Sequence, residues 1–140
     1  MQENRKCLMI DDDEDDHEIF KIYLKIINRD ITFKGVYNGE EAIDLLKTEP
    51  LYVPDYIFLD VNMPKMNGIE CLRLLRNFTK LENTKIFMYS TTSETHFLEE
   101  SRILGAEDFI VKSSKSAKMV KKLCNIFKID PNNQLHTVRS

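Results

Sequence analysis

Three apolar runs in this 140-residue chain each stop at a charged side chain: Leu8-Met9-Ile10 at Asp11 and Asp12, Tyr56-Ile57-Phe58-Leu59 at Asp60, and Phe109-Ile110-Val111 at Lys112. If the runs are neighbouring parallel strands, their carboxyl ends lie along one sheet edge, where open α/β folds place their ligands. Three acids and one lysine then share a pocket. Carboxylates gathered in one pocket must either take up protons or bind a cation. Oxygen ligands with no nearby His or Cys require a hard ion, and a few carboxylates with room for water and a phosphate favour Mg²⁺ over a dedicated calcium cage. Lys112 adds a mobile positive charge suited to a phosphoryl oxygen. Ser90 adds a hydroxyl at the end of a fourth apolar run, Ile86 to Tyr89. The set suits phosphoryl transfer onto a carboxylate, with cation and lysine neutralising the equatorial oxygens while one Asp attacks phosphorus in line. Asp60 is the better nucleophile because it stands alone, whereas Asp11 and Asp12 adjoin a cluster suited to holding metal. For Asp13, Glu14, Asp15 and Asp16 a structural reading suffices: they occupy the first turn of a helix, where carboxylates satisfy free amides and complement the macrodipole.

The elements that must carry these groups follow from periodicity. Strand-length apolar runs alternate with segments of helical period throughout, the pattern of repeated βα units on a parallel sheet, and five strands and five helices are predicted. The first helix carries Phe20, Tyr23, Leu24 and Ile27 on one face. Ile31 to Tyr37 reads as the second strand, and Asn38 caps a helix that buries Ala42, Leu45 and Leu46. Pro64, which has no amide hydrogen, turns the chain away after Asp60, and Asn67-Gly68 supplies a cap and a permissive backbone before the helix of Ile69, Leu72 and Leu75. Ser93 is the expected cap of the fourth helix and Gly105 its stop. Right-handed crossovers place helices on both faces of the sheet, which explains why the central strands are almost wholly apolar.

Size and composition set the frame. The length is that of one domain, and 42% hydrophobic with 31% charged residues is the balance of a soluble globular protein. No apolar run approaches the ~20 residues that span a bilayer, and the start lacks the apolar region of a signal peptide, so the cytoplasm is the expected address. Cys7, Cys71 and Cys124 are an odd number, widely spaced among apolar neighbours, as suits buried reduced thiols. Residues 1–20 hold eight acids against two bases, and residues 112–140 hold seven bases against one acid. Lys115, Lys118, Lys121 and Lys122 recur opposite Met119, Val120, Leu123 and Phe127, so the basic end reads as a solvated helix face rather than a nucleic-acid surface. His17, His96 and His136 are scattered and read as surface or helix-face residues.

Ile10-Asp11-Asp12-Asp13, Phe58-Leu59-Asp60-Val61-Asn62-Met63-Pro64, Tyr89-Ser90-Thr91 and Ile110-Val111-Lys112 resemble, in order and spacing, the four signature blocks of the receiver domains of two-component response regulators. The resemblance covers about Lys6 to Phe127. It implies a flavodoxin-like fold with strand order 2-1-3-4-5, the arrangement for which the chemotaxis member of this family is a standard example. It further implies a receiver domain over residues 1–128, with 129–140 a short tail too small to be an output domain. Asp60 would accept a phosphoryl group from a sensor histidine kinase or phosphotransfer protein. Asp12 and Asp60 would ligate Mg²⁺ directly, the backbone carbonyl of Asn62 would add a third ligand, and Asp11 would act largely through water. Ser90 and Lys112 would grip the phosphoryl oxygens. Ser90 and Phe109 would then reshape the face of helix four, strand five and helix five for a downstream protein target. Such a domain is a switch rather than an enzyme, although Mg²⁺-dependent self-phosphorylation from small donors and self-dephosphorylation are expected of it. Homodimerisation through the fourth and fifth helices is open on this reading; membrane and direct nucleic-acid partners are not expected.

Two departures stand out. Many relatives have Tyr where this chain has Phe109, so packing alone must report the switch. Many also have Pro after the lysine, often in a cis peptide, where Ser113 stands here; a cis bond before a non-proline costs ~2.5–4 kcal/mol. The Ser90-Thr91-Thr92-Ser93 run and the long Asn77 to Thr84 connection are similar to small regulators paired with bacterial phytochrome-type kinases. The competing class is a haloacid-dehalogenase-like phosphatase, which also uses a strand-terminal Asp with Mg²⁺. Such enzymes commonly place a second Asp two residues after the nucleophile, where this chain has Asn62, although Asp11 and Asp13 have that spacing.

Overall fold

A computed structural model describes residues 5–28 and 30–130. Residues 131–140, most of the expected tail, and with them His136, lie outside the described residues. Five parallel strands, β1 (Arg5–Ile10), β2 (Ile31–Val36), β3 (Tyr56–Leu59), β4 (Lys85–Ser90) and β5 (Asp108–Val111), form one sheet in the order β2-β1-β3-β4-β5. Between and after them run α1 (Glu14–Ile27), α2 (Gly39–Thr48), α3 (Gly68–Leu75), α4 (Leu98–Ile103) and α5 (Ser116–Phe127), with short 3-10 segments at Thr79–Leu81 and Thr92–Phe97.

Because side chains alternate across a strand, each strand feeds two cores. Cys7, Met9, Phe58, Phe87, Tyr89 and Ile110 pack with Phe20, Tyr23, Leu24 and Ile27 of α1 and Met119, Leu123 and Phe127 of α5. Leu8, Ile10, Ile57, Leu59, Ile86, Met88 and Phe109 pack with Ala42 and Leu46 of α2 and Ile69, Leu72 and Leu75 of α3 on the other face. Phe20, Phe58 and Phe127 are fully buried and form a ring cluster, Phe20 and Phe58 having centroids 4.7 Å apart. Each such side chain contributes about 1.5–3 kcal/mol through burial. Cys7, Cys71 and Cys124 are buried free thiols, as expected. Burial raises the pKa of Cys7 and Cys71, keeping both protonated.

Several helix ends behave as their sequences predict. Asn38 accepts from the Glu41 amide, and Asn67 forms a reciprocal capping box with Glu70. Gly105, with φ at 106°, follows α4 as its stop. Ser93, however, is not a cap. It lies inside the 3-10 segment, its Oγ paired with Thr91 Oγ1 at 2.8 Å, and α4 starts five residues later without a side-chain cap. Gly68 also has a different reason from the one expected. The left-handed residue of its loop is Lys65 (φ 69°). Gly68 is required because a Cβ there would stand 2.2 Å from the carbonyl oxygen of Asp60. Leu45 is only partly buried, so α2 presents a narrower apolar stripe than its sequence indicates.

Candidate functional site

Strand register determines which side chains meet. Ile10 pairs with Leu59 and Ser90 with Val111, so Asp11, Asp60 and Lys112 each leave the sheet one residue beyond a paired position. The backbone continues the ladder past the strands: the Asp60 amide donates to Ile10 O at 2.9 Å, and the Lys112 amide to Ser90 O at 2.8 Å. Fixed main chain therefore aims four reactive groups at one edge, where an open cavity of about 460 Å³ includes Asp11, Asp12, Asp13, Asp16, Asp60, Asn62, Ser90 and Lys112 in its lining.

Within it, one carboxylate oxygen from each of Asp11, Asp12 and Asp60 lies within 4.8 Å of the others. Asp11 is 1% exposed and Asp60 6%, whereas Asp12 faces solvent. The Ser90 hydroxyl donates to Asp60 Oδ1 at 2.9 Å. Lys112 Nζ donates to Asp11 Oδ2 at 2.9 Å and to Asp16 Oδ2 at 2.8 Å, and stands 3.6 Å from Asp60 Oδ1. The Tyr89 ring lies beneath it, its centroid 5.4 Å from the ammonium. Among the described residues no peptide is cis, so Lys112-Ser113 is trans.

The electrostatics are those of a site with one cation too few. Burial, with the neighbouring Asp60 charge adding to it, pushes Asp11 up to about 7 against the hydrogen bond and charge of Lys112. Burial and the charge of Asp12 likewise raise Asp60, opposed by Lys112, Ser90 and the Asn62 amide. Burial alone would depress the Lys112 ammonium, but its bonds to Asp16 and Asp11 and the charge of Asp60 outweigh that and hold it above the usual lysine value. A second positive charge among the three carboxylates would relieve this strain. The donor set, oxygen-only and sparse enough to leave room for water, fits a small hard dication such as Mg²⁺. Asn62 lines the same cavity.

All the site residues expected from the sequence converge except Phe109, which lies one layer beneath the rim, 8% exposed, in the core cluster that holds Ile69, Leu72 and Leu75 of α3. Two residues were missed. Asp16, read only as a first-turn helix acid, holds the site lysine. His17, read as a surface or helix-face residue, is 2% exposed, its Nε2 paired with the Asp11 carbonyl oxygen at 2.7 Å and its ring 4.6 Å from that of Tyr37. The available signal was Gly35 in a β-rich run: a Cβ there would stand 2.4 Å from His17 Nδ1, so the glycine makes room for the imidazole.

With this geometry in place, known proteins give the same answer. The model of the response regulator receiver domain matches residues 7–124. The chain belongs to that family. It is 30% identical over 130 residues to the chemotaxis protein CheY-3 of Vibrio cholerae, covering 91% of this chain and 95% of that one. The phosphorylated cyanobacterial phytochrome response regulator RcpA superposes with a TM-score of 0.78 at 23% identity, covering 89% of this chain and 91% of that one, a likeness of fold. CheY in the CheX-CheY-BeF₃-Mg²⁺ complex from Borrelia burgdorferi gives 0.72 at 28% identity, covering 88% and 89%. The receiver fold, with sheet order 2-1-3-4-5 and helices on both faces, is thus the architecture of this chain, and two-component signalling is its setting. Among the described residues no helix is long and apolar enough to cross a membrane.

Proposed function

We propose that this receiver is a phosphoacceptor switch: Asp60 takes a phosphoryl group from a phosphohistidine of a sensor kinase or phosphotransfer protein, in a reaction that depends on Mg²⁺ and runs in the cytoplasm. The observation that carries the reading is the grouping of Asp11, Asp12 and Asp60 within 4.8 Å, flanked by Ser90 and Lys112 at the ends of β4 and β5. In the transfer an Asp60 carboxylate oxygen attacks phosphorus, a P–O bond forms, and the P–N bond to the donor imidazole breaks with its electron pair leaving on nitrogen. The chain's own part is positional and electrostatic. Ser90 orients the Asp60 carboxylate beforehand, and its hydroxyl can turn to an incoming phosphoryl oxygen. Lys112 supplies a positive charge near the same carboxylate oxygen, 3.6 Å from Asp60 Oδ1. Asp11, Asp12, Asp60 and the Asn62 carbonyl are the groups that would hold Mg²⁺, which when bound would neutralise charge developing on the phosphoryl oxygens.

The readout follows from packing. A dianionic group on Asp60 draws Ser90 and Lys112 toward it; Ser90 ends β4, and Lys112 follows β5, the edge strand that carries Phe109. Phe109 has no hydroxyl to form a hydrogen bond, so repacking of its ring is the signal passed to the face of α4, β5 and α5, where a downstream protein binds. The domain boundary at 128 and a purely connective role for 129–140 belong to the same proposal. A complex such as that of CheX with CheY supports the expectation of a protein partner.

The test is incubation of the protein with Mg²⁺ and acetyl phosphate, followed by intact mass. One phosphoryl group is expected, lost on Asp60→Asn and on chelation of the metal. Labelling that persists undiminished in the Asn variant would refute the assignment, and steady turnover of small phosphate esters would favour a phosphatase instead.

A further inference from the structure

Lys112 has three N–H donors and three carboxylates to serve. Asp16 and Asp11 receive hydrogen bonds at 2.8 and 2.9 Å; Asp60, at 3.6 Å, is left out. The lysine that would steady a phosphoryl group on Asp60 is therefore drawn toward helix α1. We propose that Asp16 is a positioning residue that holds Lys112 away from Asp60 and so acts as a brake on phosphoryl uptake. The inference rests on the reading of Asp60 as phosphoacceptor.

Helix stability does not account for Asp16 in this position. Asp13 already caps α1 by accepting from the Asp15 amide, and Glu14 and Asp15 already complement the first turn. Asp16 is also not one of the three carboxylates that converge. The pair is sheltered: the Asp16 side chain is 26% exposed and that of Lys112 16%, which limits screening by solvent and salt. Asp16 opposes uptake in two ways. It occupies a donor of the lysine, and it sets a further negative charge one ammonium away from the atom that a phosphate dianion must approach. Replacing its carboxylate with an amide removes that charge and weakens the hold on Lys112, because a neutral amide oxygen accepts from an ammonium less strongly than a carboxylate does.

The experiment compares the full chain with Asp16→Asn and Asp16→Glu under Mg²⁺ and acetyl phosphate, where an Asp60 oxygen gains the phosphoryl group and acetate leaves with the electron pair. The Asn variant should label faster by roughly three- to tenfold, and because the pair is sheltered most of that gap should persist in ~1 M salt. The Glu variant should stay close to wild type. In parallel, acetic anhydride labelling with peptide mapping should show Lys112, and no other lysine, acylated faster in the Asn variant. Unchanged Lys112 reactivity overturns the inference whatever the phosphorylation result. A freed Lys112 with uptake equal to or slower than wild type overturns it as well. If the wild-type chain takes up no phosphoryl group, the phosphoacceptor reading fails with it; failure of the brake alone instead leaves wild type labelled at Asp60 and the Asn variant no faster.

Discussion

Gly68 and Gly39 make a matched pair that tests how the phosphoacceptor loop is held. Both are the first residue of a helix and both follow an Asn cap, at α3 and α2 respectively. Replacing either with Ala removes similar freedom from the unfolded chain, a gain of ~0.4–1 kcal/mol where the native backbone tolerates a Cβ. The surroundings differ. At Gly39 the new Cβ meets Met66 Sδ at 2.5 Å, the far end of a flexible side chain that can swing aside. At Gly68 it meets Asp60 O at 2.2 Å and Val61 Cα at 2.7 Å, both backbone. That backbone is pinned, since the Gly68 amide donates to Val61 O at 2.7 Å and the Asp60 amide to Ile10 O at 2.9 Å. Relieving an overlap of over 1 Å there costs ~3 kcal/mol or slightly more, at the upper end of overpacking penalties. After the entropic gain, Gly68→Ala should lose ~2–3 kcal/mol, a fall in Tm of ~10 °C for a domain of this size. Gly39→Ala should be within ~1 kcal/mol of wild type. Urea unfolding of the two variants measures both, and phosphoryl uptake by the Gly68 variant should fall because the atom displaced is the carbonyl of Asp60 itself. Equal stabilities for the two variants would refute the argument that close backbone approach, rather than helix propensity, keeps glycine at position 68.

Two further outcomes follow from the site. In the metal-free protein Asp11 is held at about 7 against an ordinary value of 3.8, so the folded state binds this proton more tightly than the unfolded chain does. Its stabilising contribution is full below about pH 4 and is lost as pH rises through about 7. The urea midpoint without metal should therefore drop over that window, and Asp11→Asn or added Mg²⁺ should flatten the drop. A midpoint that is flat or climbs over the same range, and is unaltered by Asp11→Asn, would refute the raised pKa of Asp11. Ser90→Ala removes the hydroxyl that donates to Asp60 at 2.9 Å. Phosphoryl uptake should slow by about tenfold or more, the worth of one hydrogen bond to a charged group, and Ser90→Thr should retain most of the rate in the acetyl phosphate assay.

What the sequence alone determined was the order and placement of the reactive groups. Unbroken apolar runs of strand length ending in Asp, Ser and Lys define strand ends, and a parallel sheet brings strand ends to one edge, so Asp11, Asp12, Asp60, Ser90 and Lys112 group from the sequence alone. The capping box at Asn67 and the stop at Gly105 are likewise local, decided within one helical turn. Tertiary structure alone decided the rest, because the interactions concerned join residues remote along the chain. Asp16 meets Lys112 across 96 residues of sequence, and nothing within its own helix separates it from Glu14 or Asp15. His17 is buried because Gly35 of the neighbouring strand leaves space for its ring. Gly68 is needed because its loop folds back on Asp60, while the left-handed turn that a glycine would ordinarily take falls to Lys65. Ser93 lost its expected role because the chain after β4 winds through a 3-10 segment before α4 begins. Periodicity reports which face a residue presents; only packing reports what it meets there.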